Sequence, residues 1–508
     1  MARCDVLIVG AGPTGLVLAL WLTQQGVQVR IVDTSVQPGT TSRALAVQAR
    51  TLELYRQLDL DRDVIAQGYK VPAVNLWVRG EPVAHVAFGD IGARLTPFSF
   101  LEIFPQDQHE ALLVEKLMSM GVVVERRTEL VSFTDHADRV RARLRTSEGA
   151  EQICEAAYLA GCDGARSRVR QGMGSGFPGG TYRQVFYVAD IQGSGPPLDG
   201  SFNADLDEAD FLGVFPMAGT GRARLIGTVR DERAEHAESL KFEDVSGRAI
   251  ENLKLQVDKV NWFSTYRVHH RVADRFRKGR AFILGDAAHI HSPAGGQGMN
   301  TGIGDAVNLA WKLAAVIHER AADALLDSYE LERMPFAQRL VATTDRAFSF
   351  VTADGPLAEI VRTRVAPPVL SRALTLEPVR DFMFRTVSQI SLNYRERPMS
   401  AGRAGEVHGG DRLPWVAGPG EDNHESLKSM SWQVHVYGTA RGSLDAWCVR
   451  HAVPLHVYPW TEAHAQAGLA QDALYLIRPD TYVALADGSG EPAVVEQYFT
   501  DRQLRTGS

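Results

Sequence analysis

Apolar and polar positions along the chain change period several times, and each change marks an element. Val6-Leu7-Ile8-Val9 is a short β-branched run that reads as a buried strand. The turn Gly10-Ala11-Gly12-Pro13-Thr14-Gly15 leads into a helical pattern over Leu16 to Gln25, which Gly26 closes as a C-cap. A second β run, Val27 to Val32, ends on Asp33, 18 positions after Gly15. Strand, glycine turn, helix and a strand ending in an acid make one βαβ unit of a dinucleotide-binding sheet.

A helix rich in Leu and Arg is expected over Ala46 to Leu58. Short alternating runs from Val74 to Phe104 then predict an antiparallel sheet inserted into the nucleotide unit. Helical spacing returns from Gln108 to Met120, followed by a strand at Val122 to Glu125, a hairpin-like pair around Leu130 to Leu144 and a strand into Gly161. Strand patterns dominate again from Tyr182 to Val272. A strand at Ala281 to Leu284, a loop and a long helix resume the nucleotide unit, and mostly helical residues reach about position 400. The glycine-rich segment 401–413 reads as a linker. The expected organisation is therefore a nucleotide-binding domain built from residues 1–73, 105–180 and 277–400, a substrate-covering sheet from 74–104 and 181–276, and a small α/β domain at 414–508. There is no internal repeat and no low-complexity tract.

Composition narrows the function class. The 508 residues are 45% hydrophobic and 23% charged, which excludes a disordered chain or a small disulfide scaffold. Lys and Arg number 54 against 61 Asp and Glu, a net charge of −7 without a basic run, so a nucleic-acid partner is not expected. The cysteines, Cys4, Cys154, Cys162 and Cys448, have no C-x-x-C spacing and read as reduced, buried small hydrophobes; no metal site is expected. Neither a signal peptide nor a membrane-spanning stretch is visible, and the cytoplasm is the expected compartment.

The glycines of the first turn have separate tasks: Gly10 permits the tight turn, Gly12 lets a pyrophosphate approach the backbone, and Gly15 allows close packing of helix on strand. Pro13 and Thr14 open the helix whose amides would meet the anion. A carboxylate at Asp33 would accept the ribose hydroxyls of an adenosine, which suits FAD and NAD alike. Two further segments bear on that choice. Gly161-Cys162-Asp163-Gly164-Ala165-Arg166-Ser167-Arg168-Val169-Arg170 follows a strand, and Gly285-Asp286-Ala287-Ala288-His289 precedes Pro293-Ala294-Gly295-Gly296-Gln297-Gly298-Met299-Asn300.

With these segments the sequence resembles the class A flavin-dependent aromatic hydroxylases, the para-hydroxybenzoate and phenol hydroxylase superfamily. Ser42-Arg43-Ala44, Gln106 and Tyr329-Glu330-Leu331-Glu332-Arg333-Met334-Pro335 extend the likeness over about residues 4–340. The resemblance implies an α/β fold: a Rossmann-like FAD-binding domain with an inserted antiparallel substrate sheet. The Tyr475 to Ala484 segment resembles the thioredoxin-like C-terminal extension of the phenol hydroxylase branch, although no dithiol is present. Implied cofactor contacts are Arg43 and Gln106 at the phosphate and ribityl regions, the Leu130 backbone at the adenine, Asp286 at the ribityl chain and Asp163 for both flavin and pyridine nucleotide. Gly298, Met299 and Asn300 would open a helix whose positive end faces the isoalloxazine, and Pro293 would sit beside the ring face where oxygen is activated. His289 belongs to a structural turn in the family pattern.

The implied activity is a monooxygenase cycle in which NADPH or NADH, visiting transiently, reduces bound FAD. O2 then adds at flavin C4a, and the hydroperoxide hydroxylates a phenolic or polycyclic aromatic substrate. Tyr266 and His269, on an expected strand near the substrate sheet with His270, are candidates to deprotonate a phenol. A Baeyer-Villiger or epoxidation reaction would use the same motifs, and a flavin-holding binding protein would carry them too. A homodimer is compatible with the sequence.

Overall fold

The computed structural model describes residues 2–39, 44–88, 91–206, 211–229, 240–245, 247–292, 296–352, 369, 372–373, 376–418 and 422–506. Its first part runs β1 (Ala2–Val9), α1 (Pro13–Gln24), β2 (Val29–Val32), β3 (Ala46–Val47), α2 (Ala49–Tyr55), α3 (Leu60–Gln67), β4 (Tyr69–Val71), β5 (Ala73–Val78), β6 (Glu81–Ala87), β7 (Leu101–Ile103) and α4 (Gln106–Ser119). There follow β8 (Glu129–Asp135), β9 (Val140–Arg145), β10 (Glu151–Gly161), α5 (Arg168–Met173), β11 (Gly179–Ser194), β12 (Phe202–Leu206), β13 (Phe211–Pro216), β14 (Arg222–Val229), α6 (Gly247–Asn252) and β15 (Gln256–Val272). The chain continues through β16 (Arg277–Lys278), β17 (Ala281–Ile283), β18 (His289–Ile290), α7 (Gly298–Ile317), α8 (Asp327–Thr352) and α9 (Glu377–Val387). It ends with β19 (Ala401–Ala404), β20 (Val407–His408), β21 (Gln433–Tyr437), α10 (Gly442–His451), β22 (Leu455–Tyr458), α11 (Glu462–Gln466), β23 (Leu474–Ile477), β24 (Val483–Asp487) and α12 (Pro492–Asp501).

The continuous apolar run Val6 to Val9 lies inside a sheet ordered β16-β17-β10-β1-β2, with β10, β1 and β2 parallel and the β8–β9 hairpin attached to β10. Such a strand is buried on both faces, so every residue of the run can be apolar. α1 is apolar all round, with Gly15 to Leu22 buried, because it packs between this sheet and α7. The two separate β-rich stretches meet in one eight-stranded sheet, ordered β18-β15-β11-β14-β13-β12-β5-β6.

Four local expectations are corrected. Ala46–Val47 is a strand rather than the start of a helix; it pairs with Glu102 and Ile103, and α2 begins only after Gln48. Leu101–Ile103 leaves the large sheet for a three-stranded one, β3-β7-β4, so the stretch 74–104 is divided between two sheets. Val122 to Glu125 makes a single bridge, Val32 to Glu125, instead of a strand. The supposed linker 401–413 is sheet: β19 runs parallel to β24 and turns into β20. Its glycines serve close approach, since a Cβ on Gly402 would overlap the Ala486 carbonyl and Gly405 turns the hairpin at φ +61. Three cysteines are buried as expected and Cys162 is half-buried; all four are free.

The C-terminal sheet is ordered β20-β19-β24-β23-β21-β22. β21 and β22 are parallel and joined through α10, whereas β23 and β24 run antiparallel beside them. α10 and α12 cover one face with Leu444, Trp447, Val495 and Phe499.

Glu102, central in the three-stranded sheet, is fully buried, and both its carboxyl oxygens lack a hydrogen-bond partner among the described residues. Burial pushes its pKa up to about 8 despite the nearby charge of Lys70. Because the folded value lies above the unfolded one of about 4.3, its contribution to stability is complete below that unfolded pKa and is lost as pH rises through about 8. Glu102→Gln is therefore expected to raise stability by about 2–3 kcal/mol at pH 7. The two proteins should converge near pH 4, read as Tm across pH; equal curves throughout would exclude a buried, ionising Glu102.

Candidate active site

Three turns and the first part of α7 converge at the N-terminus of α1. Gly10 has φ +102, and a Cβ there would overlap the Cys162 carbonyl, so the first glycine turn lies directly against Cys162-Asp163-Gly164. A Cβ on Gly15 would overlap the Gly10 carbonyl, whereas around Gly12 nothing lies within 4 Å. Thr14 fills the space left by two further glycines: a Cβ on Gly285 would come within 2.6 Å of its Oγ1, and one on Gly302 of α7 would overlap it. Helix α1 has no side-chain cap. Its first amides lack intrahelical acceptors and point, with the positive end of the helix dipole, into the open space at Gly12.

Around this point the carboxylates mostly brace backbone. Asp33 Oδ2 accepts from the Ala11 N–H at 2.6 Å, and Oδ1 accepts from the Ser35 N–H and hydroxyl. Asp163 Oδ2 accepts from the Arg168 and Val169 amides at 2.7 and 3.2 Å, capping α5, while Oδ1 is buried without a partner among the described residues. Burial pushes the Asp163 carboxyl above the usual range. Gln106 opens α4, donates from Nε2 to Glu110 at 2.8 Å and takes the Ala44 carbonyl on its N–H, and Glu110 in turn accepts from the Gly39 N–H. Gln106 thus stands beside both ends of segment 40–43; Arg43 itself lies outside the described residues. Leu130 is buried at the start of β8. Asp286 is exposed in the turn opened by Gly285, which has φ +56.

The second anchor is the start of α7. Thr301 N–H makes the first intrahelical bond, to Gln297 at 2.9 Å, leaving the amides of Gly298, Met299 and Asn300 as the positive end of a 20-residue helix. The Asn300 side chain is fully committed: Oδ1 accepts from the Gln48 N–H at 2.9 Å and the Thr51 hydroxyl at 2.7 Å, and Nδ2 donates to the Ala46 and Gly296 carbonyls at 2.9 Å. What Asn300 can offer a ligand is its backbone. Pro293 lies outside the described residues.

Behind α7, Asp305 accepts from the Gly285 N–H at 3.0 Å, from His289 Nε2 at 2.7 Å and from Arg333 Nε at 2.6 Å. Burial alone would raise its pKa, but Arg333 and His289 hold the carboxyl below the ordinary range. Arg333 also donates to the Tyr394 hydroxyl and the Thr301 carbonyl. Sequence reasoning passed over Asp305 and gave Arg333 no role beyond its place in the Tyr329–Pro335 motif, although a carboxylate within a mostly apolar helix is a usable signal.

Strand alternation places Tyr266 and His269 on opposite faces of the eight-stranded sheet. His269 Nδ1 is 2.7 Å from the Thr181 hydroxyl. Tyr266 belongs to an apolar cluster with Phe186 and Val188 of β11, Ile226 of β14, Phe211 and Phe215 of β13, Phe202 of β12 and Trp262. The cluster packs onto Leu45, Ala46, Val71 and Ile103, so the aromatic face of the large sheet stands against the strand that Asn300 ties to α7. Arg224 and Asp190 form a bidentate pair at 2.6 and 2.7 Å on two of these strands.

Residues 3–344 match the family model described as FAD binding domain. The chain belongs to the FAD-dependent aromatic hydroxylases. This hydroxylase is 36% identical over 425 residues to 6-methylpretetramide 4-monooxygenase of Streptomyces rimosus, covering 80% of the chain and 73% of that relative. It is 30% identical to a flavin-dependent monooxygenase of Mycobacteroides abscessus over 96% of the chain and 97% of the relative. In three dimensions it overlays an anhydrotetracycline hydroxylase from Streptomyces rimosus with a TM-score of 0.80 at 26% identity, covering 99% of this chain and all of the other. The hydroxylase is a flavoprotein monooxygenase with FAD as its cofactor.

The residues present fit FAD. Gly12 leaves a cradle that a Cβ would fill, Asp163 Oδ1 awaits a partner, and the uncapped ends of α1 and α7 suit a pyrophosphate and an electron-rich ring respectively. Among the described residues no helix is long and apolar enough to cross a membrane, and no group of three or more His, Cys, Asp or Glu could hold a metal ion.

Proposed function

We propose that this hydroxylase transfers one oxygen atom from O2 to a polycyclic phenolic substrate at the expense of NADPH or NADH. The aromatic face carries this reading: Tyr266, Trp262, Phe186, Phe211, Phe215 and Phe202 span five neighbouring strands. At a strand spacing of ~4.8 Å that is a wall about 19 Å wide, a match for several fused rings rather than one phenol. Relatives named for 6-methylpretetramide and anhydrotetracycline point the same way. Bound FAD, once reduced by the pyridine nucleotide, supplies the activation of O2.

In this reading the chain does the rest. Gly10, Gly12, Pro13, Thr14 and Gly15 receive the pyrophosphate, Asp33 the adenosine ribose, Gln106, Asp286 and Arg43 the phosphate and ribityl regions, and the Leu130 backbone the adenine. Asp163 steadies the flavin turn. The amides of Gly298, Met299 and Asn300 hold the isoalloxazine, with Pro293 beside its reacting face. Apolar side chains exclude water that would discharge activated oxygen as peroxide. Removal of the proton from a bound phenol falls to Tyr266, on the substrate face, rather than His269 behind it. The order β24-β23-β21-β22, two parallel strands joined by a helix and two antiparallel ones, supports a thioredoxin-like C-terminal domain without the dithiol.

The test is NADPH and NADH oxidation by FAD-loaded protein against phenols and polycyclic aromatics under 18O2, with mass spectrometry of products. One labelled oxygen is expected on the ring of a polycyclic compound. Label in a lactone or epoxide would replace hydroxylation with the corresponding insertion, and an unlabelled panel with an unchanged basal rate would favour a flavin-holding protein.

A further inference from the structure

The C-terminal sheet is joined to the flavin-holding part of the molecule by an apolar cluster around Trp311 and Leu325, by the Arg412–Glu53 and Arg56–Asp422 ion pairs, and by a buried charge network that gathers at one turn. After β23 the chain turns at Arg478-Pro479-Asp480-Thr481, closed by the Thr481 N–H on the Arg478 carbonyl at 2.9 Å. Thr481 has φ +72, a conformation a β-branched residue keeps only when its surroundings hold it there. Arg50 of α2 holds it: Nη2 donates to Thr481 Oγ1 at 2.6 Å and to the Asp480 carbonyl at 3.3 Å, and the guanidinium lies 4.8 Å from the centre of the Tyr482 ring.

Behind the turn, Arg478 forks onto Glu332 of α8 at 2.7 and 2.9 Å and reaches Asp480 at 2.6 Å. Glu332 also accepts from Lys312 and Asn308 of α7, at 2.8 and 2.7 Å. Arg478, Lys312, Glu332 and Asp480 are all buried, and their charges cancel.

The helices gripped in this way carry the cofactor end. α2 starts directly after Gln48, whose N–H is held with the Thr51 hydroxyl on Asn300 Oδ1, in the first turn of α7. A contiguous path therefore runs from Thr481 through Arg50 and α2 to Asn300. Beside it lies a cavity of about 10 Å³, room for one water, bordered by Arg50, Asn300, Asn308, Arg333 and Asp480. Arg50 Nε is buried without a partner among the described residues.

We propose that the Arg478–Thr481 turn is a positioning element of the flavin site, setting through Arg50 the separation of the first turns of α2 and α7 and thereby how tightly FAD is held. This rests on FAD lying at the start of α7, as read above, and is independent of the substrate.

The experiment titrates FAD into apo-protein of Thr481→Gly and Arg50→Met, following flavin fluorescence without substrate or pyridine nucleotide, beside the Tm of each apo-protein. Glycine suits φ +72 but removes the acceptor of Arg50 Nη2, two effects of opposite sign, so Thr481→Gly apo-protein is expected to melt close to the parent while its FAD Kd rises roughly threefold to thirtyfold. Arg50→Met should weaken FAD at least as much. A turn that only joins the domains predicts the opposite pattern, a lowered Tm with an unchanged Kd, and that result overturns the proposal, as does an unchanged Kd at an unchanged Tm. If Arg50→Met does not fold, Thr481→Gly alone decides. A failed oxygen-transfer assay leaves this titration standing, and an unchanged Kd leaves the proposed reaction standing, so the two readings fail separately.

Discussion

Gly12→Ala is expected to yield a protein that folds and melts like the parent yet is purified almost free of flavin, whereas Gly15→Ala should lose both flavin and stability. The two residues belong to one motif, but their surroundings differ. Nothing lies within 4 Å of a Cβ on Gly12, so the added methyl meets only the ligand that should approach there. A Cβ on Gly15 overlaps the Gly10 carbonyl, which is itself fixed by φ +102 and by the Cys162 backbone. The turn would have to open and lift α1 from β1. A loss of FAD affinity of about a hundredfold or more is expected for Gly12→Ala, equivalent to about 3 kcal/mol. Flavin absorbance per polypeptide and apo-protein Tm read the two effects separately. Tight FAD binding by Gly12→Ala would mean that the pyrophosphate does not pass this turn.

Asp305→Ala is expected to destabilise the protein by about 3–5 kcal/mol, because it leaves the buried Arg333 guanidinium without its carboxylate. It also strips the acceptor from the Gly285 N–H and from His289. Those bonds hold the turn that meets Thr14, so flavin retention should fall with Tm. Asp305→Asn keeps the shape and one acceptor and should cost less, about 1.5–3 kcal/mol. The folded Asp305 pKa is depressed, so its contribution is present above the unfolded pKa of about 3.9 and is lost as pH falls through the lower folded value. The gap between parent and variant should therefore narrow in acid. An Asp305→Ala protein with the parent's Tm and full flavin would show that the network carries no weight.

Some of this architecture was legible in residue pattern because the responsible forces are local. The run Val6 to Val9, the positions Gly10, Gly12 and Gly15 and the acid Asp33 announce a strand, a turn that tolerates no side chains and a second strand end; neighbours in sequence enforce all three. The helix from Gly298 was readable for the same reason, with Ile303, Val307, Ala310, Trp311 and Ala314 buried along it. Where short runs were misplaced, long-range pairing overrode local preference. Ala46–Val47 extends because Glu102–Ile103 offers it a ladder, and Ala401–Ala404 becomes a strand because β24 lies beside it.

The chain by itself determined that a dinucleotide is held, since glycines, helix starts and carboxylates at set spacings act on a ligand through backbone geometry written into consecutive residues, and the resemblance of its three motifs to the flavin-dependent hydroxylases pointed to FAD. Tertiary structure alone decided which side chains are spent on holding that geometry. Asn300 fastens α7 to Gln48 and Thr51, Asp305 joins Gly285 to Arg333, and Arg50 reaches Thr481 across more than four hundred residues. The physical reason is that a buried polar group must find its partner wherever the fold brings one, and no spacing along the sequence records that meeting.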